Sequence, residues 1–565
     1  MEKEIKNKIL QGEEYLYSEN ILDNLRLKNK IKCFEYNTSS KISPQKRQEL
    51  IKSIINTKTD NLYINKKFNC NFGKNIFIGD NFYSSFNLTI IDENLVEFGD
   101  NIYIGPNCSF DTIDIPLDKE KRRQRLLSSR GIKIGNNVYF EGSIIISNGV
   151  KIGNNVIIKA GSLINKDIPN NTSVEGNPFK FIYSNISFNF KNYIHEMITN
   201  ELKDENYIKS KKICDEFNNV KFENFEEINN KISKLFKSYN NLYLTQNAYI
   251  LNGNHSSVGN TFYANYNFIL IDNSNTFSAG NNVLFGPNCT VNTNIIEYNE
   301  SKKEFILSNK PIKLGNNIWI ASNVYIKGGV SIGNNSTIGA GSVVTCDIPE
   351  NCLAFGNPAK VIRKFEIIHN QIKKGENDKR TEKEISLNEE LYFTGDQELA
   401  NDRMKSFKTI SIYNNFINPS KIKERNDILR SHLNASKCEN FEIDNNFNVD
   451  YGYNVTIGKN FKSFYNLIIL DENIIDIGDY VTIGPNVAIL CAIHPLEDII
   501  SRNSELEYAK KVTIGNDVWI KGNTVILPGV KIGNNVIIEN GSIVTKNIPD
   551  NSYVSGAPCK VINNI

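Results

Sequence analysis

Apolar residues recur at every sixth position in three long segments of the chain. Neither an α-helix nor an alternating strand repeats with that period. A parallel β-helix does, because three short strands form one triangular coil and each hexad supplies one inward side chain. An antiparallel β-sandwich has no reason for a period of six. The three series are Ile134, Phe140, Ile146, Ile152, Ile158 and Ile164; Leu314, Ile320, Ile326, Ile332, Ile338 and Val344; and Ile514, Ile520, Ile526, Ile532, Ile538 and Val544.

The hexad segments belong to a longer repeat. Each is preceded by a matching block and ends in G-x-P, and Gly-Asn and Asn-Asn pairs at the predicted corners tolerate positive φ. The blocks cover 72–93, 256–273 and 451–472, and the hexads 132–169, 312–349 and 512–549. The chain is therefore predicted to contain three tandem copies of one domain: copy 1 (1–184), copy 2 (185–365) and copy 3 (387–565), with a charged linker at 366–386.

Each copy is also expected to begin with a short helical preface. Segments 387–416 and 420–433 carry apolar residues at helical spacing among charges, and 11–37 and 43–55 are their counterparts in copy 1. The predicted fold class is thus mainly β, with three parallel β-helix domains that each follow a helical preface.

Composition narrows the class of protein. Among 565 residues, 65 Lys and Arg balance 63 Asp and Glu, which argues against nucleic-acid binding through a strongly basic face. No apolar run is long enough to cross a membrane, and the charged N-terminal segment does not resemble a signal peptide. Ten cysteines without a CxxC pair are typical of reduced thiols rather than of disulfides or a metal site. We therefore expect a cytoplasmic protein without a membrane partner.

The hexads, the NNVWI-like segments and the closing G-x-P together resemble the hexapeptide-repeat acetyltransferases. The helical preface and the stretch CAIHPLEDIISRNSELEYAKKVTIGNDVWI (491–520) are similar to the maltose/galactoside O-acetyltransferase group. The resemblance implies left-handed β-helices and trimers whose sites lie between neighbouring prisms, where acetyl-CoA meets a sugar hydroxyl. One chain with three copies then resembles a covalently linked pseudo-trimer, which we expect to act as a monomer.

His494 is the candidate catalytic base. A hydroxyl is a poor nucleophile, so its attack on a thioester needs a neutral imidazole to take the proton. His494 precedes Pro495 and aligns with the base of the family, whereas Ile115 and Ile296 stand opposite it in copies 1 and 2. Isoleucine cannot accept a proton, so we expect at most one full site per chain. The remaining histidines are expected to be ordinary surface or core residues: His195, His255, His369 and His432.

The resemblance assigns oxyanion stabilisation to an asparagine in the motif F-Y-A-N-[FY]-N. Copy 2 keeps this motif with Tyr263 and Asn265, whereas copy 1 has Ser85 and copy 3 has Phe464 at the asparagine position. We therefore expect Asn265 and His494 to meet across the interface of copies 2 and 3. The alternative is that Asn265 is a corner residue and another donor serves.

The resemblance also assigns contacts to the substrates. Asp450, Asp471, Glu472 and Tyr263 would bind acceptor hydroxyls, since carboxylates accept hydrogen bonds without competing as donors. Glu507 would orient the imidazole. The acids could equally be solvated turn residues. Acetyl-CoA contacts map onto Gly522, Asn540, Thr545, Lys546 and Lys560, with Ala340, Thr345 and Lys360 of copy 2 equally possible, while Trp319 and Trp519 are expected to be structural.

The function that this resemblance implies is acetyl-CoA-dependent O-acetylation of a sugar or glycan hydroxyl, without a metal. Two alternatives stay open. The acceptor could be an antibiotic or other xenobiotic, although relatives of that kind generally lack the helical preface. A catalytically inactive scaffold of the same fold is the other.

Overall fold

The computed structural model describes residues 2–39, 44–184, 188, 190–219, 225–272, 276–299, 301, 304–366, 378–435 and 438–565. Each copy forms a β-helical prism of short parallel strands behind a helical preface. The helices of the described part are α1 Glu2–Leu10, α2 Asn20–Thr38, α3 Pro44–Ile54 and α4 Lys119–Arg123 in copy 1; α5 Lys191–Lys203, α6 Glu205–Asn218 and α7 Phe225–Ser233 in copy 2; and α8 Glu382–Leu387, α9 Gln397–Asn415, α10 Ile422–His432 and α11 Ile499–Asn503 in copy 3.

In copy 1 the prism has faces of seven, five and five strands, and each strand pairs with the one a coil above or below. In chain order, β1 to β20 are Tyr15–Leu16, Asn56–Thr57, Leu62–Ile64, Asn69–Cys70, Ile76–Ile78, Phe82–Ser84, Thr89–Ile91, Val96–Phe98, Ile102–Ile104, Ser109–Asp111, Ile113–Asp114, Leu126–Ser129, Ile132–Ile134, Val138–Phe140, Ile145–Ile146, Lys151–Ile152, Val156–Ile158, Leu163–Ile164, Thr172–Glu175 and Lys180–Ser184.

Copy 2 differs because one long strand, β23, passes a corner and joins two faces into a single sheet. In chain order, β21 to β37 are Ser238–Leu244, Tyr249–Leu251, Ser257–Ala264, Ile269–Ile271, Phe277–Ala279, Val283–Phe285, Thr290–Asn292, Asn294–Asn299, Glu304–Asn309, Ile312–Leu314, Ile318–Ile320, Tyr325–Lys327, Ser331–Ile332, Thr337–Ile338, Val343–Val344, Cys352–Gly356 and Ala359–Lys364.

Copy 3 has prism faces of seven, five and four strands. In chain order, β38 to β56 are Tyr392–Phe393, Glu442–Ile443, Asn448–Val449, Val455–Ile457, Lys462–Ser463, Ile468–Leu470, Ile475–Ile477, Thr482–Ile483, Ala488–Leu490, Ala492–Ile493, Leu506–Ala509, Val512–Ile514, Trp519–Ile520, Val525–Ile526, Lys531–Ile532, Val536–Ile538, Ile543–Val544, Ser552–Gly556 and Cys559–Asn564.

The six-residue period sets the core. Ile526 stacks on Ile489, which stacks on Ile469, and all three are fully buried inside the prism of copy 3. Asparagines at the corners adopt the left-handed conformation, as at Asn486 (φ 58°) and Asn523 (φ 56°). The predicted fold class is confirmed.

The predicted linker at 366–386 is partly wrong. Residues 367–377 lie outside the described part, but α8 begins at Glu382, inside the range assigned to the linker. Thr381 and Glu384 form a capping box in which each side chain bonds the backbone N–H of the other, which is how so short a helix is stabilised among charges. Copy 3 therefore has an ordered element before residue 387, as α1 precedes the preface in copy 1.

Each prism carries an inserted loop that packs on its neighbour. The loop of copy 3 contacts copy 2, because Arg502 donates to the carbonyl oxygen of Asn317 (2.8 Å). The loop of copy 2 contacts copy 1 through Ile296, whose carbonyl oxygen accepts from Lys159 (2.8 Å). The loop of copy 1, which contains α4, contacts copy 3, where Arg123 forms two hydrogen bonds to Asp517 (2.6 and 2.8 Å). We call the interfaces seams 1–2, 2–3 and 3–1.

Asparagine amides join the copies where the three prisms meet. Asn466 donates to Asn87 of copy 1 (2.8 Å) and to Asn486 of its own copy (2.7 Å). Asn107 donates to Thr290 of copy 2 (2.8 Å). The three copies thus share one central axis lined by hydrogen-bonded amides.

Removal of one stacked side chain should destabilise the prism. Ile489→Ala leaves a cavity between Ile469 and Ile526, so we expect the free energy of unfolding to fall by about 2–5 kcal/mol in chemical denaturation. Thr456→Ala is the matched control, because Thr456 is exposed on β41 and should change that energy by less than about 0.5 kcal/mol. Equal losses in both variants would contradict an inward stack.

Candidate active site

His494 follows β47 in the loop of copy 3 and stands between an acid of its own copy and an aromatic ring of copy 2. Its Nδ1 lies 3.4 Å from Oε2 of Glu507. Its ring meets the ring of Trp319 edge to face, with centroids 5.1 Å apart. Burial and the nearby Arg502 lower the pKa of His494 to about 4, so the imidazole is neutral at pH 7. With Nδ1 beside Glu507, Nε2 is the ring nitrogen that remains for a substrate.

Glu507 is held by the preface of copy 3. Antiparallel pairing of β38 with β48 sets Tyr392 opposite Glu507, and the Tyr392 hydroxyl donates to that carboxylate. Burial raises the pKa of Glu507 to about 7, against the opposing effects of the Tyr392 hydrogen bond and the positive charge of Arg403. The predicted orienting acid therefore lies beside the imidazole, fixed by a tyrosine on its other oxygen.

Two further acids lie near this pair. Asp450 accepts a hydrogen bond from the hydroxyl of Tyr266 of copy 2 (3.1 Å) and shares another with Glu472. Burial raises the pKa of both carboxyls, so the two hold a proton more readily than ordinary acids. Arg403 from α9 donates to the hydroxyl of Tyr451 (2.7 Å) and supplies positive charge to Asp450. One carboxylate oxygen of Glu472 is buried without a hydrogen-bond partner.

Asn265 lies on the same seam as His494. Its Oδ1 accepts the backbone N–H of Tyr266 (2.6 Å), which leaves the amide nitrogen to donate elsewhere. The next residue, Tyr266, reaches Asp450 across the seam. Tyr263 is half-buried and lies near the same acids. Burial, and next the negative charge of Asp450, raise the pKa of its hydroxyl. No hydrogen bond joins Asn265 directly to His494 in the described part of the chain.

Asp471 does not fit the predicted acceptor contact. It is fully buried, and its oxygens accept the backbone N–H groups of Tyr451 (2.8 Å) and Gly452 (2.8 Å). Asp92 of copy 1 and Asp272 of copy 2 bond their own turns in the same way. Asp471 therefore orders a turn that is common to all three copies.

Two predicted acetyl-CoA contacts lie on another seam. Gly522 shares a cleft with Ile113 and Ile115 of copy 1. Asn540 precedes Gly541, whose carbonyl oxygen accepts from Asn177 of copy 1 (3.0 Å). These positions face seam 3–1 and not His494, because this face of each prism turns toward the copy that follows it around the axis.

The copy 2 alternatives divide between two seams. Ala340 packs among Ile468, Leu470 and Ala488 of copy 3 and so lies on seam 2–3. Thr345 follows Val343, which packs beside Ala160 of copy 1, and so lies on seam 1–2. Lys360 is exposed near the end of the prism.

The remaining cofactor candidates of copy 3 divide between two seams. Thr545 and Lys546 follow Ile543, which packs against Gly341 of copy 2, so they lie at the edge of the seam that holds His494. Thr545 is half-buried and Lys546 is exposed. Lys560 is also exposed, but it lies on β56, in the sheet of Trp519 and Tyr553 that faces copy 1.

The other two seams are apolar at the matching positions. In seam 1–2, fully buried Ile296 packs with Tyr139 and Phe305 beneath α5. In seam 3–1, Ile115 lies with Phe464 and Trp519, and Leu127 pairs with Tyr15 where copy 3 has Glu507 with Tyr392. Neither seam has an imidazole or an orienting carboxylate.

Three of the four other histidines lie apart from this site. His195 and His255 are exposed, and His432 pairs with Ser406 inside the preface at 2.8 Å. His369 lies outside the described residues.

Several residues at the site were missed from sequence. Trp319 was expected to be structural but touches His494, and Tyr392 and Arg403 come from the preface. Ala321, with Ser322 after it, stands where copy 1 has Glu141 and copy 3 has Lys521. A small residue in copy 2 where the other two copies have a charged one was a readable signal. In copy 3 Lys521 is bonded to Glu539, and Glu141 of copy 1 lies 3.8 Å from Lys327 of copy 2.

Comparison with known proteins agrees with this architecture. The family described as bacterial transferase hexapeptide (six repeats) matches residues 311–346 and 511–546, and the maltose acetyltransferase hexapeptide capping motif matches 8–58 and 386–436. The galactoside O-acetyltransferase of Escherichia coli (strain K12) is 39% identical over 158 residues, which are 28% of this chain and 77% of that protein. The chain belongs to the hexapeptide-repeat acetyltransferases. The resemblance read from the motifs is thereby confirmed.

Other members of this family match one copy at a time. The galactoside O-acetyltransferase of Lactococcus lactis is 33% identical over 173 residues, 31% of this chain and 83% of that protein. The solved maltose O-acetyltransferase from Clostridium difficile 630 is 41% identical and covers 33% of this chain and 99% of its own, with a TM-score of 0.32. A galactoside acetyltransferase solved in complex with coenzyme A is 35% identical, covers 34% and 93%, and has a TM-score of 0.31.

As a hexapeptide-repeat acetyltransferase the chain is an acyltransferase. Within the described ranges, no group of three or more His, Cys, Asp and Glu side chains is arranged to hold a metal ion. No helix among the same residues is both long and apolar enough to span a membrane.

The ionisation of His494 can be measured directly. In protein labelled at histidine, the resonance that disappears in His494→Gln should titrate near pH 4, below the ordinary value of about 6.5. Arg502→Gln should raise that midpoint because Arg502 disfavours the imidazolium, whereas Lys531→Gln, at an exposed position, should not. A midpoint at or above 6.5 would mean that Glu507 outweighs burial.

Proposed function

We propose that the chain is an acetyl-CoA-dependent O-acetyltransferase of a sugar or glycan hydroxyl, with one active site per chain at seam 2–3. The observation that carries this proposal is the pair of His494 and Glu507 set against Trp319 of copy 2. At the same positions in copy 1 stand isoleucine and leucine, and copy 2 has isoleucine in place of the histidine. The three copies then act together as an intramolecular trimer in which two seams are structural.

His494 acts as the general base. Its neutral Nε2 takes the proton of the acceptor hydroxyl while the hydroxyl oxygen bonds to the thioester carbonyl carbon. Glu507 holds Nδ1 and, when ionised, stabilises the imidazolium that forms. When the carbon–sulfur bond breaks, the imidazolium returns its proton to the departing sulfur. An acetyl ester and a free thiol result, and the base is regenerated.

Asn265 is the proposed oxyanion donor. The Tyr266 backbone N–H donates to the side-chain oxygen of Asn265 and so fixes which end of the amide is the donor. The amide nitrogen then remains to donate to a substrate. Such a donor stabilises the negative charge that develops on the carbonyl oxygen in the tetrahedral intermediate. The hydroxyl of Ser322, buried beside Ala321 of copy 2, is a second candidate donor.

The acceptor is proposed to bind between the acids of copy 3 and the tyrosines of copy 2. Asp450 and Glu472 would exchange hydrogen bonds with sugar hydroxyls, beside the Tyr266 hydroxyl that already donates to Asp450. Arg403 limits the repulsion between these carboxylates. Asp471 is left out of the acceptor site because its oxygens bond the backbone.

The groove for the donor is proposed to run between copies 2 and 3. Acetyl-CoA would supply the acetyl group as a thioester. Partly buried Ala321, Leu527 and Ala557 line seam 2–3 beside Ala340, and Ala321 stands where the other copies have Glu141 and Lys521. Thr545 and Lys546 lie on the same side and would bind phosphate groups, Lys546 as a mobile point charge. Gly522, Asn540 and Lys560 face seam 3–1 and are excluded from this groove.

Loss of the base should abolish turnover but not donor binding. We expect His494→Ala to lower kcat by roughly 10²–10⁴-fold, the usual contribution of a general base. The measurement is release of free CoA from acetyl-CoA with a panel of sugars, beside the equilibrium binding of acetyl-CoA. His255→Ala, an exposed histidine of copy 2, is the control and should leave both unchanged. Full activity in His494→Ala would contradict the proposal.

The pH profile should report Glu507. His494 is already neutral above about pH 4, whereas Glu507 ionises near pH 7, so kcat/KM should rise with pH through the titration of Glu507. In Glu507→Gln that rising limb should disappear from neutral pH and move down to the titration of His494. The rate at high pH should also fall because the imidazolium loses its counter-charge. An unchanged profile in Glu507→Gln would show that this carboxyl does not act on the base.

A further inference from the structure

One outward column of residues on copy 2 leads away from His494. Parallel pairing places Tyr243 of β21 beside Tyr263 of β23, Tyr263 beside Leu284 of β26, and Leu284 beside Trp319 of β31. Each of the four lies between two buried inward neighbours and therefore faces outward. We call this set the copy 2 column. It ends at Trp319, the ring in contact with His494.

The copy 2 column is open at its far end. Tyr243 is 56% exposed, whereas the ring at the matching position of copy 1, Tyr63, is 8% exposed. Strands of a sheet lie about 4.8 Å apart, so three steps place Tyr243 about 14 Å from Trp319. That span is longer than one pyranose ring, and it begins at the reactive centre.

The matching columns of the other copies are closed. In copy 1 the column is a ladder of stacked tyrosines covered by Ile194, Met197 and Ile198 of α5: Tyr63, Tyr83, Tyr103 and Tyr139. In copy 3 it begins with Glu442 and Lys462, where Lys30 from α2 of copy 1 bonds Glu442 at 3.0 Å. Among the described residues, the first position of the column is thus an exposed aromatic ring in copy 2, a covered ring in copy 1 and a carboxylate in copy 3.

The opposite wall is acidic. Asp450, Glu472 and Glu507 of copy 3 lie close enough to Tyr263 to disfavour its ionisation. Aromatic faces pack well on the apolar C–H faces of sugar rings, and carboxylates accept from their hydroxyls. Arg403 of this wall already donates to Tyr451 and to the carbonyl oxygen of Thr394, so it would offer an acidic sugar little counter-charge. The chemistry of the two walls therefore matches a neutral carbohydrate.

We propose that the copy 2 column is an extended glycan-binding groove, so that the acceptor is a neutral oligosaccharide or polysaccharide chain. The sugar that is acetylated lies at His494, and the following sugars run along the column to stack on Tyr243. This inference rests on the proposed function, and it names the substrate class that the function left open.

The test is the dependence of kcat/KM on acceptor length. Neutral α-1,4- and β-1,4-linked glucose oligomers, from monosaccharide to hexasaccharide, are acetylated by the wild type and by Tyr243→Ala. We expect the wild type to prefer long acceptors, and we expect Tyr243→Ala to lower the ratio of long to short kcat/KM by about three- to tenfold, the effect of one lost ring contact. Tyr243→Phe keeps the ring and should restore the ratio.

Tyr239→Ala is the matched control. Tyr239 is 41% exposed on the same strand, but Asn241, in the left-handed conformation (φ 52°), turns the chain between it and Tyr243. Tyr239 therefore lies on the adjacent face and should leave the ratio unchanged. A wild type without length preference, or equal losses in Tyr239→Ala and Tyr243→Ala, would overturn the groove while the proposed function stands.

Binding separates failure of the groove from failure of the chemistry. In the Trp519→Phe background, Trp319 alone reports, and the same oligomers are titrated into His494→Ala by fluorescence. Binding that strengthens with length and weakens in Tyr243→Ala supports the groove even if no acceptor is acetylated. The absence of binding by any oligomer overturns it. If glycans bind and the wild type releases no CoA above His494→Ala, the proposed function fails instead.

Discussion

The structure depends on the stacking of one apolar side chain per hexad inside each prism. A six-residue period fixes where every corner falls, so the inward positions must stay apolar and fit the side chains of the coils above and below. Ile469, Ile489 and Ile526 illustrate the constraint, since each is fully buried against the next coil. The outward positions carry no such constraint. Differences between copies are therefore concentrated on the faces that meet at the seams.

Because the three copies belong to one chain, each copy can carry its own substitutions at its seams. In an assembly of three identical chains, each substitution at a seam occurs three times. Here the position of the imidazole is His494 in one copy and isoleucine in two, and the partner position Asn265 is retained only in the copy that faces His494. The two seams without a base have become apolar contacts that join the prisms, through Ile296 in one and Ile115 in the other. On the proposed function, catalytic and structural roles are thus divided among equivalent seams.

The prisms could be predicted from the sequence because they follow from local spacing, whereas the assignment of His494 came from the resemblance to the acetyltransferase family. The sequence could not say which face of a prism meets which neighbour, since a period of six separates inside from outside but does not order the copies around the axis. Gly522 and Asn540 were consequently proposed as cofactor contacts, although they face seam 3–1. Asp471 was misread because its backbone partners, Tyr451 and Gly452, become visible only when the turn is folded.

The site also draws on residues that no spacing rule connects. Tyr392 and Arg403 lie about a hundred residues before Glu507, and the strand pairing of β38 with β48 brings them together. α8 is too short for a periodic pattern, so only its capping residues Thr381 and Glu384 could have signalled it. Comparison of aligned positions among the three copies was the more informative signal, as at Glu141, Ala321 and Lys521.

The cyclic order of the loops has a consequence for synthesis on the ribosome. The loop of copy 2 packs on copy 1, and the loop of copy 3 packs on copy 2, so each of these loops contacts a copy that has already been translated. The loop of copy 1 must wait, because Arg123 binds Asp517 in the copy that is translated last. A nascent chain therefore holds an open ring until copy 3 emerges. A product released early contains the Trp319 platform without the histidine that packs on it, so incomplete translation leaves no partial catalyst.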